Sequence, residues 1–330
     1  MGYSVANRLA SATGPWGTLS WTYDGVGNRL TETLGATVDT TNYPSSSNKP
    51  TNVTRSGSTT RSWTYDGAGN VATDVQSVDA YVYSYNKANR ISSVTDNGSP
   101  WATYKYNGLD QLASRTVTAP VGPPGTIQYI YDLDGHLIAE ADSATATTLR
   151  EYIWLDDLPV AVVANVNTSP ILLMVHADHL KRPIRMTDST KTTVWQAIWK
   201  PFGEPYSLSG TQSLDARLPG QWFQIETGLA YNWHRHYDAT TGRYTQPDPL
   251  GFPDGPSRYT YSTNSPIMRV DPTGQLAGSI STRPPSNLLQ LCETDAERRD
   301  RCFEECQHLM SVGHGNEYRG CFRRCMGQNL

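Results

Sequence analysis

Three groups of residues have types and spacings that could do chemistry. The first is a pair of Asp-Pro steps, Asp248-Pro249 and Asp271-Pro272. Two carboxylates held close resist ionising together, so one keeps its proton. The ionised partner can activate water while the protonated one polarises a carbonyl. Spacing alone shows none of this, because Asp-Pro is also an ordinary turn starter. The second group is His176, Asp178 and His179. In a strand and turn, His176 and Asp178 share a face while His179 points away. No further ligand is suggested nearby, so a structural role is favoured and no metal or other cofactor is expected.

The third group is thiols. No Cys precedes Cys292, and five fall in the last 39 residues. Four of them spell C-x3-C, fourteen residues, C-x3-C. "TDAERRDRCFEECQHLM" opens with the capping-box pattern Thr294-x-x-Glu297, and Cys302, Cys306 and Leu309 share a helical face. "EYRGCFRRCMG" places Tyr318, Cys321, Phe322 and Cys325 on one face of a second helix. Antiparallel packing would set Cys302 opposite Cys325 and Cys306 opposite Cys321, with Cys292 left over. So small a hairpin needs a staple. Disulfides are favoured, because the pairs are spaced for a helix; a tetrahedral zinc site is the rival.

The elements that must position these groups are written as repeats. "WTYDGVGN" starts at Trp21 and "WTYDGAGN" at Trp63; weaker copies begin at Tyr3, Tyr83, Tyr104, Tyr129 and Tyr152. From Tyr65 onward the second aromatics are Tyr85, Tyr106, Tyr131 and Trp154, a spacing of twenty to twenty-five. The gap from Tyr23 to Tyr65 is two periods, so a divergent copy is expected between them. Aromatics at i and i+2 share one face of a strand. Asp starts a turn, Gly and Asn accept positive φ, and a second strand returns. Each unit is therefore a β-hairpin, and hairpins must line up into a long sheet to be stable.

Bulk composition sets limits. Net charge is −4, so no nucleic-acid or membrane affinity follows from charge. No apolar run is long enough to span a membrane, and "MGYSVANRLA" is not a signal peptide. The last segment carries seven Arg against seven Asp or Glu, so it is no basic nucleic-acid binder. It lacks the deaminase motifs, and no nuclease or transferase constellation is visible.

The repeated units resemble the YD repeats of the Rhs family. "HADHLKRPIRMTD" is similar to the family's H-x-D-H-L-G-x-P segment, with Lys181 where Gly is usual. "WKPFGE" is similar to its P-F-G segment. "TGLAYNWHRHYDATTGRYTQPDPLGFPDGPSRYTYSTNSPIMRVDPTG" resembles the Rhs-associated core end. The resemblance implies a mostly β fold: antiparallel YD-repeat hairpins forming part of a spiralling β-shell. The small α-helical hairpin tail would come after it. It divides the chain into a YD-repeat sheet (1–170), the core end (171–276) and a linker with a variable Cys-rich tail (277–330).

The same resemblance assigns Asp248 and Asp271 as an aspartyl autoprotease pair acting once, with the scissile bond after Leu276. Arg235 would hold a carboxylate or plug the shell by salt bridging. Here Gln275 separates Gly274 from Leu276, which can shift the cleavage register by one. Seven or eight repeats are too few to enclose a cavity, so the chain reads as the C-terminal portion of a longer shell or a displaced copy. The expected function is to encapsulate, and release by autoproteolysis, a small toxin-like tail. Rival readings are a non-catalytic structural or adhesive repeat protein, and a degenerate cassette with an inert tail. Expected partners are the N-terminal shell portion or plug, a secretion apparatus and a cognate immunity protein, with a secreted or cell-surface destination reached by a specialised route.

Overall fold

The computed structural model describes residues 1–118, 120–121 and 124–279. The expected helical hairpin and its cysteines (Cys292, Cys302, Cys306, Cys321 and Cys325) lie outside the described residues.

The local unit is a five-residue turn capped by its own first side chain. Asp24 Oδ1 accepts the N–H groups of Val26 (3.0 Å) and Asn28 (2.8 Å). The main chain closes the turn from Asp24 N–H to Asn28 O and from Gly27 N–H to Asp24 O. That geometry puts the fourth residue at positive φ, +93° at Gly27 and again at Gly69, where glycine carries no Cβ penalty. The same turn is built on Asp66, Asn86, Asn107, Asp132, Asp178 and Asp188. "HADHLKRP" is thus another copy of the repeat turn. Lys181 stands at its fourth position with φ +62°.

Each turn joins two strands. Where the returning strand begins, the register slips by one residue, as between Thr22 and Tyr23, Thr64 and Tyr65, or Lys105 and Tyr106. This is a β-bulge, which twists the hairpin locally. Twenty strands, from Gly2–Tyr3 to Pro205–Gly210, pair antiparallel with their sequence neighbours. The sheet runs on across residue 170 and ends at Gly210. The divergent copy between Tyr23 and Tyr65 is present as strands Thr37–Asn42 and Asn52–Arg55, joined by a longer loop.

The first aromatic of each unit is buried on one face: Trp21, Trp63, Tyr83, Tyr104, Tyr129 and Tyr152. In five units the second aromatic reaches back one hairpin and donates to a main-chain carbonyl. Tyr23 bonds Leu9 O, Tyr85 bonds Val71 O, Tyr106 bonds Ile91 O, Tyr131 bonds Leu112 O and Trp154 bonds Leu137 O, all between 2.7 and 3.0 Å. This explains why the chain uses 19 Tyr and 9 Trp against 5 Phe: the position needs an apolar ring with a polar tip.

Turns also touch along a common rim. Asn70 and Asn89 exchange side-chain hydrogen bonds, Arg90 reaches Asp110, and His136 bridges Asp132 and Asp157. The aromatic face then packs on the segment C-terminal to the sheet. That segment holds a four-stranded sheet (Trp222–Gln224, Leu229–Asn232, Arg235–Asp238 and Arg243–Tyr244) and a short pair, Arg269–Val270 with Gly278–Ser279. Glu226 anchors it, accepting from Tyr104 OH at 2.7 Å and pairing with Arg115 at 3.2 Å.

Two outcomes check this architecture. Tyr106→Phe should cost about 0.5–1.5 kcal/mol in chemical denaturation, the worth of one hydrogen bond, whereas Trp63→Ala should cost about 3–5 kcal/mol. His136 is held above its ordinary value, chiefly by its hydrogen bond to Asp157 and despite burial. A raised folded-state pKa contributes stability that is complete below 6.5 and is lost as pH rises through the raised value. The stability gap between wild type and His136→Asn should therefore narrow with rising pH in paired thermal melts.

Candidate active site

Arg235 lies in the third strand of the small sheet, between Leu229–Asn232 and Arg243–Tyr244. All four residues of Arg235–Asp238 are buried, so this strand is enclosed on both faces. A guanidinium in such a place must be paired. Its Nη2 lies 2.9 Å from Asp248 Oδ2 and 3.1 Å from Asp271 Oδ2. Nε donates to Gly274 O at 2.5 Å, Nη1 donates to Arg258 O at 3.2 Å, and the group stacks 3.6 Å from the Tyr244 ring centroid. One arginine thus joins both sequence-predicted aspartates to the loop that carries the expected scissile bond.

Each aspartate also shapes its own loop. Asp248 Oδ1 accepts Leu250 N–H at 2.8 Å, and Gly251 N–H bonds Asp248 O, as in the repeat turns. Asp271 Oδ1 accepts Gln275 N–H (2.9 Å) and Leu276 N–H (3.1 Å). Its Oδ2 takes Tyr244 OH (2.8 Å) besides Arg235. Four donors fill the acceptor capacity of this carboxylate. Because Asp271 holds both amides, the extra Gln275 is accommodated without releasing Leu276. Gly274 is required here: its φ is +71°, and a Cβ would run into the Asn232 carbonyl. Asn232 supports the loop from the other side by donating to Asp271 O at 2.9 Å.

Burial pushes the Asp248 carboxyl above its ordinary value, against the pull of Arg235. Asp254, which the sequence does not single out, enters the same site: its Oδ2 accepts Ala277 N–H at 2.9 Å. Burial raises its carboxyl too, with Asp271 adding to the effect. Tyr244 and Asn232 are likewise invisible to sequence reasoning. "RYTQPDP" and "YNWHRHYD" carry no local sign of them, since both act across distant strands.

His176, Asp178 and His179 do not converge. Asp178 caps its turn and pairs with Arg182, His176 Nε2 meets Thr187 Oγ1, and His179 Nε2 meets Ile267 O.

An open sheet of aspartate-capped hairpins, closed on its aromatic face by a segment centred on an Arg-linked aspartate pair, defines a YD-repeat shell protein. The teneurin YD-shell family model matches residues 3–267, and the chain belongs to that family of Rhs-type repeat proteins. The chain is 30% identical over 203 residues to toxin protein Tse5 of Pseudomonas aeruginosa, covering 58% of this chain and 15% of that protein. It is 27% identical over 284 residues to the tRNA nuclease WapA of Bacillus subtilis, covering 82% of this chain and 12% of that one. It is 36% identical over 118 residues to YibJ of Escherichia coli, covering 35% and 49%. The chain thus spans less than half the length of each. Among solved structures it is similar to the Tc holotoxin pore of Photorhabdus luminescens, with TM-score 0.37, 12% identity and coverage of 86% of this chain and 21% of that one.

Arg235→Met should destabilise the fold by about 3–5 kcal/mol at neutral pH, because the buried Asp248–Asp271 pair loses its counter-ion. The loss should shrink in acid, where a protonated carboxyl no longer leaves an unpaired charge. Denaturant titrations of both proteins at neutral and acidic pH measure this.

Proposed function

We propose that this chain forms the C-terminal end of a Rhs/YD-repeat shell that encloses an effector segment and frees it by cutting its own backbone after Leu276. The observation that carries the reading is the convergence of Asp248 and Asp271 on Arg235, with Asp271 gripping the Leu276 amide. In this scheme Asp248, raised by burial, holds the shared proton and polarises the scissile carbonyl. Asp271 orients the peptide and, when one of its four donors swings away, accepts a proton from the attacking water. Leu276 is 55% exposed, which lets water approach.

Relatives named as a toxin and a tRNA nuclease support an effector role for the segment beyond residue 276. Export by a dedicated secretion apparatus, and a cognate immunity protein as partner, complete the proposal. Relatives several times longer support further shell segments as the other partner. Disulfides between Cys302 and Cys325 and between Cys306 and Cys321 would suit an oxidising destination.

A second reading has its own observation. Asp271 is saturated with hydrogen bonds and supports the loop as a structural cap would, so an inert shell or adhesive protein is the rival. Intact mass of the full-length protein separates the two. Self-cleavage gives a fragment ending at Leu276, and Asp271→Asn should slow its appearance by about 10²-fold or more. A chain that stays whole, or that is cut as fast in both Asp248→Asn and Asp271→Asn as in wild type, favours an inert aspartate pair.

A further inference from the structure

Different carboxylates hold the amide of the candidate bond and the amide just before it. Leu276 N–H points to Asp271 Oδ1, and Ala277 N–H points to Asp254 Oδ2. The Asp254 contact differs in kind from its neighbours. Asp248 caps the amide two residues ahead, and Asp271 caps those four and five ahead. Asp254 caps nothing in its own loop: among the described residues its one side-chain hydrogen bond reaches across 23 positions to Ala277. Immediately beyond, Gly278–Ser279 pairs with Arg269–Val270, so the nitrogen of Ala277 is fixed by its N–H and by the adjoining ladder.

We propose that Asp254 is a third catalytic carboxyl, placed on the leaving-group nitrogen of the Leu276–Ala277 bond, where it supplies the proton that lets the new amine depart. This rests on the self-cleavage reading above. An amide nitrogen is not basic, but it becomes so once water has added to the carbonyl and resonance is lost. Water adds through oxygen to the Leu276 carbonyl carbon, and one of its protons passes to the Asp248–Asp271 pair. The C–N bond then breaks, its electron pair stays on the Ala277 nitrogen, and that nitrogen takes the Asp254 proton. The products are the Leu276 carboxylic acid and the Ala277 amine, with Asp254 ionised and the pair carrying the proton from water. Return of that proton to Asp254 completes the cycle. No other reactant is needed.

The charged groups around Asp254 are Asp271 and Asp248, which disfavour its ionisation, and Arg235 and Arg269, which favour it. Burial is the larger influence and keeps the carboxyl protonated to higher pH than usual. A proton donor works only while protonated, so the cleavage rate should fall as pH rises through the Asp254 pKa.

The test monitors cleavage of the full-length chain by intact mass from about pH 4 to pH 8. Asp254→Asn keeps an oxygen for the Ala277 N–H but has no acidic proton. It should cut about 10²-fold more slowly than wild type, with an unchanged thermal melt, and its alkaline fall should lose the Asp254 contribution and keep only that of the Asp248–Asp271 pair. Asp254→Glu should retain cutting and the alkaline limb, and carries the test if the Asn variant fails to fold. Wild-type rate and pH profile in a folded Asp254→Asn would overturn the inference and leave self-cleavage standing. An uncut wild-type chain across the whole range would overturn self-cleavage, and this inference with it.

Discussion

An aspartate or asparagine that binds the backbone amides just ahead of it is the interaction on which this structure depends. Without it the chain at each turn would have to hold a positive φ unaided and leave a half-buried N–H without its partner, at a cost of about 1 kcal/mol or more per turn. With it, each hairpin starts at a defined residue. The defined start sets the bulge, the bulge sets the register, and the register sends one aromatic of each unit into the core. A slip of one residue would turn that face outward. In five units the second aromatic then ties the hairpin to the preceding one through a main-chain carbonyl, so an error in one of them would be felt in the next.

The same physics is reused at the site with an additional demand. Asp248 keeps the turn-capping role of the repeats through Oδ1 and gives Oδ2 to Arg235. Asp271 divides its oxygens in the same way between loop amides and Arg235. The turn-starter and ion-pair readings of an Asp-Pro step are therefore compatible: the two oxygens of one carboxylate serve different partners. Burial raises the cost of leaving any of these groups unpaired, which is why a single arginine can organise a loop some 36 positions away in sequence.

This coupling relates stability to the proposed chemistry. Asp271 stabilises the loop best when fully bonded and could act as a base only when one bond is given up. A site built this way is held closed by its own hydrogen bonds. Asp254, which has no turn of its own to cap, lies outside that constraint.

The sequence by itself determined the repeat. The turn residues, the paired aromatics and the divergent copy between Tyr23 and Tyr65 are all readable, because the forces involved act within four or five positions of one strand and turn. It also singled out Asp248, Asp271 and Arg235, through family resemblance and not through spacing. Only the tertiary structure decided that Arg235 bonds both aspartates at once, that Tyr244 and Asn232 complete the loop, and that Asp254 meets Ala277. It also showed that Asp178 and His179 belong to a repeat turn and His176 to the strand that enters it. These contacts join residues that no local period links. Which buried charges meet is set by how the closing segment packs on the aromatic face of the sheet, and that packing depends on hydrogen bonds between distant strands, not on any one stretch of chain.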